Sequence, residues 1–139
     1  MPYLTEQPIQ QSEFFSEPND PSAGALGVFF GIVRNHHGSR AVEELFYESY
    51  RPMAEMQMGE VIRRAQEQWK LRKVRVCHRV GRLLPGETAV AVCVWSDHRA
   101  EAFAASRFII DEIKKTVPIW KLETYADGKK EWVRCHEKN

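Results

Sequence analysis

Thr88–Trp95, TAVAVCVW, carries no charged residue, and beyond Thr88 it is apolar at both odd and even positions. A short, β-branched run of this kind reads as a central strand of a sheet rather than a strand with one solvated face. The remaining elements must be arranged around it.

Gly24 to Val33, GALGVFFGIV, is a second buried strand by the same reasoning. The polar segment Arg34 to Arg40, RNHHGSR, reads as a mobile connection. Ala41 to Tyr50 resumes as a strand with Val42, Leu45, Phe46 and Tyr47 as its apolar matter. Pro52 suits the first turn of a helix, where its missing N–H costs nothing. Met53, Met56, Ile62, Ala65 and Trp69 then recur near helical spacing. Val74, Val76, His78 and Val80 alternate with Arg75, Cys77 and Arg79, the period of a strand, and Gly81 and Pro85-Gly86 bracket a turn.

After the central strand, Ser96 or Asp97 is placed to cap a helix starting near His98. Ala102, Ala105, Ile109 and Ile113 form its apolar stripe. The helix has to stop before Pro118, which pushes Val117 out of the α region. Ile119 to Tyr125 and Glu131 to Arg134 are two short strands around the turn Ala126 to Lys129. Residues 1–22 contain the polar stretch SEPNDPS and form an arm or loop, with a short helix over Gln11 to Phe15. The order strand, strand, helix, strand, strand, helix, strand, strand defines an α+β domain, with two helices on a mostly antiparallel or mixed sheet.

A chain of 139 residues with 43% hydrophobic content fits one domain over 1–139. Twenty basic against 19 acidic residues give a net charge of +1, which argues against nucleic acid or a membrane surface as partner. The N-terminal MPYLTEQPIQ lacks the charge and apolar core of a signal peptide, and no apolar run has bilayer-spanning length. Cys77, Cys93 and Cys135 show no metal-ligand spacing. They suit a soluble, cytoplasmic protein with Cys77 and Cys93 as small apolar strand residues; a nucleophilic cysteine is the sharper alternative, which no motif supports.

Three regions carry candidate chemistry. At the strand exit Phe29-Phe30-Gly31-Ile32-Val33-Arg34, Gly31 permits close approach of a ligand or another backbone, and Arg34 stands where functional groups are commonly presented, although a surface arginine is the plainer reading. At Ser96-Asp97-His98-Arg99 a helix start favours anions, and His98 and Arg99 add donors. The plainer reading there is a capping Asp97 with two solvated neighbours. In Lys114 to Glu123, KKTVPIWKLE, Lys114 also suits the helix dipole. Lys121 follows the rigid apolar Pro-Ile-Trp, where burial near other cations makes a lysine a usable base or nucleophile. Glu123 shares its strand parity and either holds the ammonium or forms a surface pair. No phosphate-binding glycine loop, zinc spacing or serine triad is present.

Together, GALGVFFGIVRNHHG, LFYESYRPMAE, HRVGRLLPGE, SDHRAEAFAASRFIIDEIKKTVPIWKLE and Trp132-Val133 resemble the large, catalytic subunit of molybdopterin synthase, in order over roughly residues 24–133. The resemblance implies an α/β hammerhead-type domain with a small additional β subdomain. It also implies a homodimer and a small ubiquitin-like sulfur-carrier subunit ending in a Gly-Gly thiocarboxylate. Sulfur would pass twice to cyclic pyranopterin monophosphate to form the dithiolene of molybdopterin, without a cofactor or metal. By the same resemblance Phe29, Ile32, Val33 and Arg34 bind substrate. His98 and Arg99 form an anion-binding pair serving the pocket of the neighbouring subunit. Lys114 and Lys121 are the catalytic lysines, with Leu122 and Glu123 beside them. The stretch Thr124 to Glu131 is about a residue longer than the family pattern, which leaves Arg134 and His136 both open as a further basic residue.

Two rivals come from other classes. One is a non-catalytic αβ small-molecule-binding or adaptor module, in which both lysines are surface charges. The other is an RNA-binding sheet domain, which needs exposed aromatics interleaved with basic residues on one face. Phe29 and Phe30 are adjacent and point to opposite faces, and the net charge is only +1, so the second is weak.

Overall fold

Thr88–Ser96 is hydrogen-bonded along both edges, to Ala25–Ile32 on one side and Leu71–Arg79 on the other, each antiparallel. In this computed structural model, which describes residues 2–14 and 20–134, the elements run in chain order as follows. They are β1 (Leu4–Thr5), a 3-10 helix (Gln11–Phe14), β2 (Ala25–Ile32), β3 (His36–His37), β4 (Arg40–Ser49), α1 (Arg51–Gln68), β5 (Leu71–Arg79), β6 (Gly81–Leu83), β7 (Thr88–Ser96), α2 (Arg99–Thr116), β8 (Ile119–Tyr125) and β9 (Lys130–Arg134). The α+β class read from the sequence is the class adopted.

One sheet has the order β1-β5-β7-β2, with only the β1–β5 pair parallel among the described strands. Every residue of β7 is buried. Val90, Val92 and Val94 face both helices, in a core with Met58, Val61, Ile109 and Ile113. Ala91, Cys93 and Trp95 point the other way, onto Phe14, Ile9 and Phe30. The N-terminal arm is therefore the second cover that a two-sided apolar strand requires. Phe14 meets Phe30 edge to face at 5.6 Å between ring centroids.

A second sheet, β3-β4-β8-β9 with β6 on β4, forms the additional β subdomain. Its inner face alternates along β8, where Ile119, Lys121, Glu123 and Tyr125 are buried while Trp120 is exposed. Tyr47 of β4 pairs with Lys121, and Leu45 with Glu123.

Four local expectations change. The segment 34–40 is not a loose connection: His36–His37 pairs with Arg40–Ala41 in a tight hairpin, and Gly38 supplies the left-handed residue (φ 61°) that it needs. In α1 the buried stripe is Ala54, Met58, Val61, Ile62 and Ala65, whereas Met53 and Met56 are exposed. Neither Ser96 nor Asp97 caps α2. His98 occupies the N-cap without a side-chain bond, the Ser96 hydroxyl donates to the His98 carbonyl, and Asp97 turns to Arg72 at 2.6 Å. At Gly31 the close neighbour is a side chain: a Cβ there would lie 2.6 Å from Val90 Cγ1. Phe15, Cys135 and His136 lie outside the described residues.

Candidate active site

The two sheets diverge at the β2 exit and leave a cleft whose empty volume is about 770 Å³ with its open mouth included. Phe29, Ile32, Val33 and Arg34 line one wall, the last turn of α2 contributes Ile113 and Lys114, and β8 contributes Lys121 and Glu123. Pro118 makes this convergence possible. It ends α2 at Thr116 with Val117 in extended geometry, so the chain turns at once into β8. Lys114 stands exposed at the mouth and Lys121 is buried inside, with 8% of its surface accessible.

Lys121 Nζ lies 3.7 Å from Glu123 Oε2, an ion pair longer than a hydrogen bond. The other carboxylate oxygen of Glu123 is 2.6 Å from His37 Nδ1 and accepts the Tyr125 hydroxyl at 2.7 Å. Burial of Glu123 opposes its ionisation, but the hydrogen bonds from His37 and Tyr125 and the charge of Lys121 outweigh it and hold the carboxyl below its ordinary value. A buried carboxylate so held is an anion at neutral pH. Glu123 is thus part of the interior, not a surface pair.

His78 also lines the cleft, with its ring edge-on to Tyr47 at 5.2 Å between centroids. Its Nδ1 lies 2.7 Å from the Arg79 carbonyl, which can only accept, so Nδ1 carries the hydrogen and Nε2 is left as acceptor. Burial, aided by the positive charge of Lys114, pushes His78 down to about 4 against the bond to the Arg79 carbonyl, so the imidazole is neutral at physiological pH.

Seven of the residues singled out in the sequence thus share one cleft: Phe29, Ile32, Val33, Arg34, Lys114, Lys121 and Glu123. Three do not. Leu122 has the opposite strand parity and faces away from Lys121. His98 and Arg99 are exposed at the far end of β7, because Ser96 pairs with Ala25 whereas the cleft lies by Thr88 and Ile32. Val90 is the last β7 residue that lines the cleft of their own chain, and His98 lies eight residues beyond it, about 25 Å at ~3.3 Å per residue. Sequence reasoning missed Tyr47, His78, His36 and His37. His78 looked like a plain strand residue, and the paired histidines looked like loop. Their one signal was two adjacent imidazoles directly after Arg34.

Cys77 and Cys93 take no part in the cleft. Cys77 is half-buried and Cys93 buried, both as free thiols, and burial pushes Cys93 up to about 11. Among the described residues no group of three or more His, Cys, Asp or Glu could hold a metal ion, and no helix is long and apolar enough to cross a membrane.

A cleft with a buried lysine–carboxylate pair, a second lysine at its mouth and an arginine at its rim is a candidate active site in an α+β domain. The MoaE protein family model matches residues 4–116. A molybdopterin synthase catalytic subunit of Thermoplasma volcanium is 40% identical over 129 residues, covering 93% of this chain and 94% of that one. Molybdopterin synthase catalytic subunit 1 of Mycobacterium tuberculosis is 40% identical over 130 residues, with 94% and 88% covered. Among solved structures, molybdopterin synthase from Staphylococcus aureus superposes with a TM-score of 0.87 at 33% identity, over 95% of this chain and 96% of that one. The chain belongs to the MoaE protein family.

Proposed function

We propose that this cleft is where sulfur is transferred to a pterin in molybdenum cofactor biosynthesis, with the chain acting as the catalytic subunit of a molybdopterin synthase. The observation that carries the reading is the convergence of Lys114 and Lys121, from a helix end and a strand start, on the cleft that Arg34 rims. The substrate is cyclic pyranopterin monophosphate. The sulfur arrives as the C-terminal Gly-Gly thiocarboxylate of a small ubiquitin-like subunit, whose extended tail enters the cleft. A Helicobacter pylori relative in fold is a protein–protein complex of subunits 1 and 2 of molybdopterin-converting factor, which fits such a two-chain assembly.

Arg34 holds the substrate phosphate by charge-assisted bonds. The thiocarboxylate sulfur displaces an oxygen substituent of the pterin side chain to form a thioester, and water then adds to the thioester carbonyl. The two lysines stabilise the oxyanion of that addition and move protons as the sulfur stays on the pterin and the tail departs as a carboxylate. His98 and Arg99, too far from their own cleft, serve the cleft of a second copy in a homodimer, and the assembly works in the cytoplasm. Incubation with thiocarboxylated small subunit and the cyclic pterin precursor tests the reading. Dithiolene product supports it, whereas a stable complex without product marks an adaptor.

A further inference from the structure

Behind the cleft lysines lies a row of polar groups to which the sulfur-transfer reading gives no task. The hairpin β3–β4 brings His37 Nδ1 to 2.6 Å from Glu123 Oε1, where the Tyr125 hydroxyl also donates at 2.7 Å. Tyr125 is held in turn from outside. The Arg40 guanidinium lies 3.4 Å above its ring centroid and pairs with Glu131 at 3.0 Å. Both strong donors therefore fall on one carboxylate oxygen. The other, Oε2, faces Lys121 at 3.7 Å, beyond hydrogen-bonding distance.

This asymmetry has a physical reading. A buried carboxylate seeks donors, and an ammonium 3.7 Å away would ordinarily be drawn into contact. The hydrogen bonds from His37 and Tyr125 anchor Glu123 from the side opposite Lys121. Among Lys121, Glu123 and His37, the histidine has the most exposed side chain, at 26% against 10% and 4%. It sits three residues after Arg34, on the hairpin that continues the cleft wall.

We propose that His37 is a positioning residue for sulfur transfer: by anchoring Glu123 it holds the carboxylate back from Lys121 and leaves the ammonium directed into the cleft. The proposal rests on the reading of the cleft given above. The charged and titratable groups around the pair are Lys114, Arg34, His36 and His78 on the cleft side and Tyr125, Arg40 and Glu131 behind. Without His37, Glu123 has one donor fewer and closes on Lys121, which then binds its proton more tightly and turns from the substrate.

The test is the pH profile of kcat and KM for dithiolene formation by the complex with thiocarboxylated small subunit. His37→Ala is expected to lower kcat about tenfold, the weight of one charge-assisted bond, with KM for the pterin unchanged. The limb governed by Lys121 moves to higher pH whether amine or ammonium is the working form, because either way the proton is held more tightly. His37→Gln, which keeps an N–H donor, restores most of the rate. In a Glu123→Gln background His37→Ala adds no further loss of rate, since the histidine acts only through that carboxylate. An unshifted limb, additive losses in the double variant or a wild-type rate in His37→Ala each overturns the proposal. Inactive wild-type complex would instead overturn the functional reading itself.

Discussion

His78 donates its Nδ1 hydrogen to the backbone carbonyl of Arg79 at 2.7 Å, and so has a fixed tautomer on the floor of the cleft. Folding lowers its proton affinity from an ordinary 6.5 to about 4, chiefly through burial. The unfolded chain therefore binds the proton more strongly between those values. Stability is fully present above about pH 6.5 and is lost as pH falls towards 4, by about 3 kcal/mol in all. Denaturant titrations of wild type and His78→Gln across this range check it. The variant's stability is expected to fall less steeply with acid, and parallel curves refute the assignment.

Replacing Lys114 or Lys121 by arginine keeps the charge but removes a group able to give up its proton at neutral pH. Product formation is expected to fall about a hundredfold, with partner binding by Lys114→Arg unchanged because the positive charge at the mouth is kept. Single-turnover assays alongside calorimetric binding separate the two. Wild-type turnover in both variants would reduce the lysines to electrostatic anchors.

Mixing two inactive chains tests the division of the site between copies. Lys121→Ala lacks a group inside the cleft, whereas Arg99→Ala lacks one about 25 Å from it along β7. In a homodimer that shares its sites, mixed dimers of these variants contain one intact cleft, and random exchange restores about a quarter of full activity. Recovery at background level would mean that Arg99 serves no neighbouring cleft.

Phe14 closes the arm over Ala91, Cys93 and Trp95, and Arg75 lies 4.1 Å above its ring centroid. Phe14→Ala is expected to cost about 3–5 kcal/mol, as large-to-small substitutions of buried aromatic residues do. It should also open the buried Cys93 thiol to alkylating reagents. Labelling followed by peptide mass analysis reads this directly, and protection equal to wild type would place the cover elsewhere.

The fold was legible where side-chain period and backbone chemistry agree. The unbroken apolar run gave β7, and Pro118 located the end of α2 within a residue. The cleft was half legible, because Lys114, Lys121 and Glu123 stand close in sequence around that proline. What escaped were contacts set by register between distant strands. That Tyr47 faces Lys121 depends on how β4 pairs with β8. That His37 reaches Glu123 depends on a two-residue hairpin whose sequence is as polar as any loop. The α1 stripe was misphased because methionines suit both a core and an exposed surface.

The arm over β7 also orders events in time. Ile9 and Phe14 lie about eighty residues upstream of the strand face that they cover, and β1 pairs in parallel with the end of β5. On the ribosome the arm is thus made well before the strand face it covers and is among the last segments to find its place, because its docking surface is not yet synthesised. Contacts of such sequence separation carry loop-closure entropy and slow the search. Until the arm docks, one face of the central sheet is bare, with Trp95 and Cys93 exposed in the nascent chain.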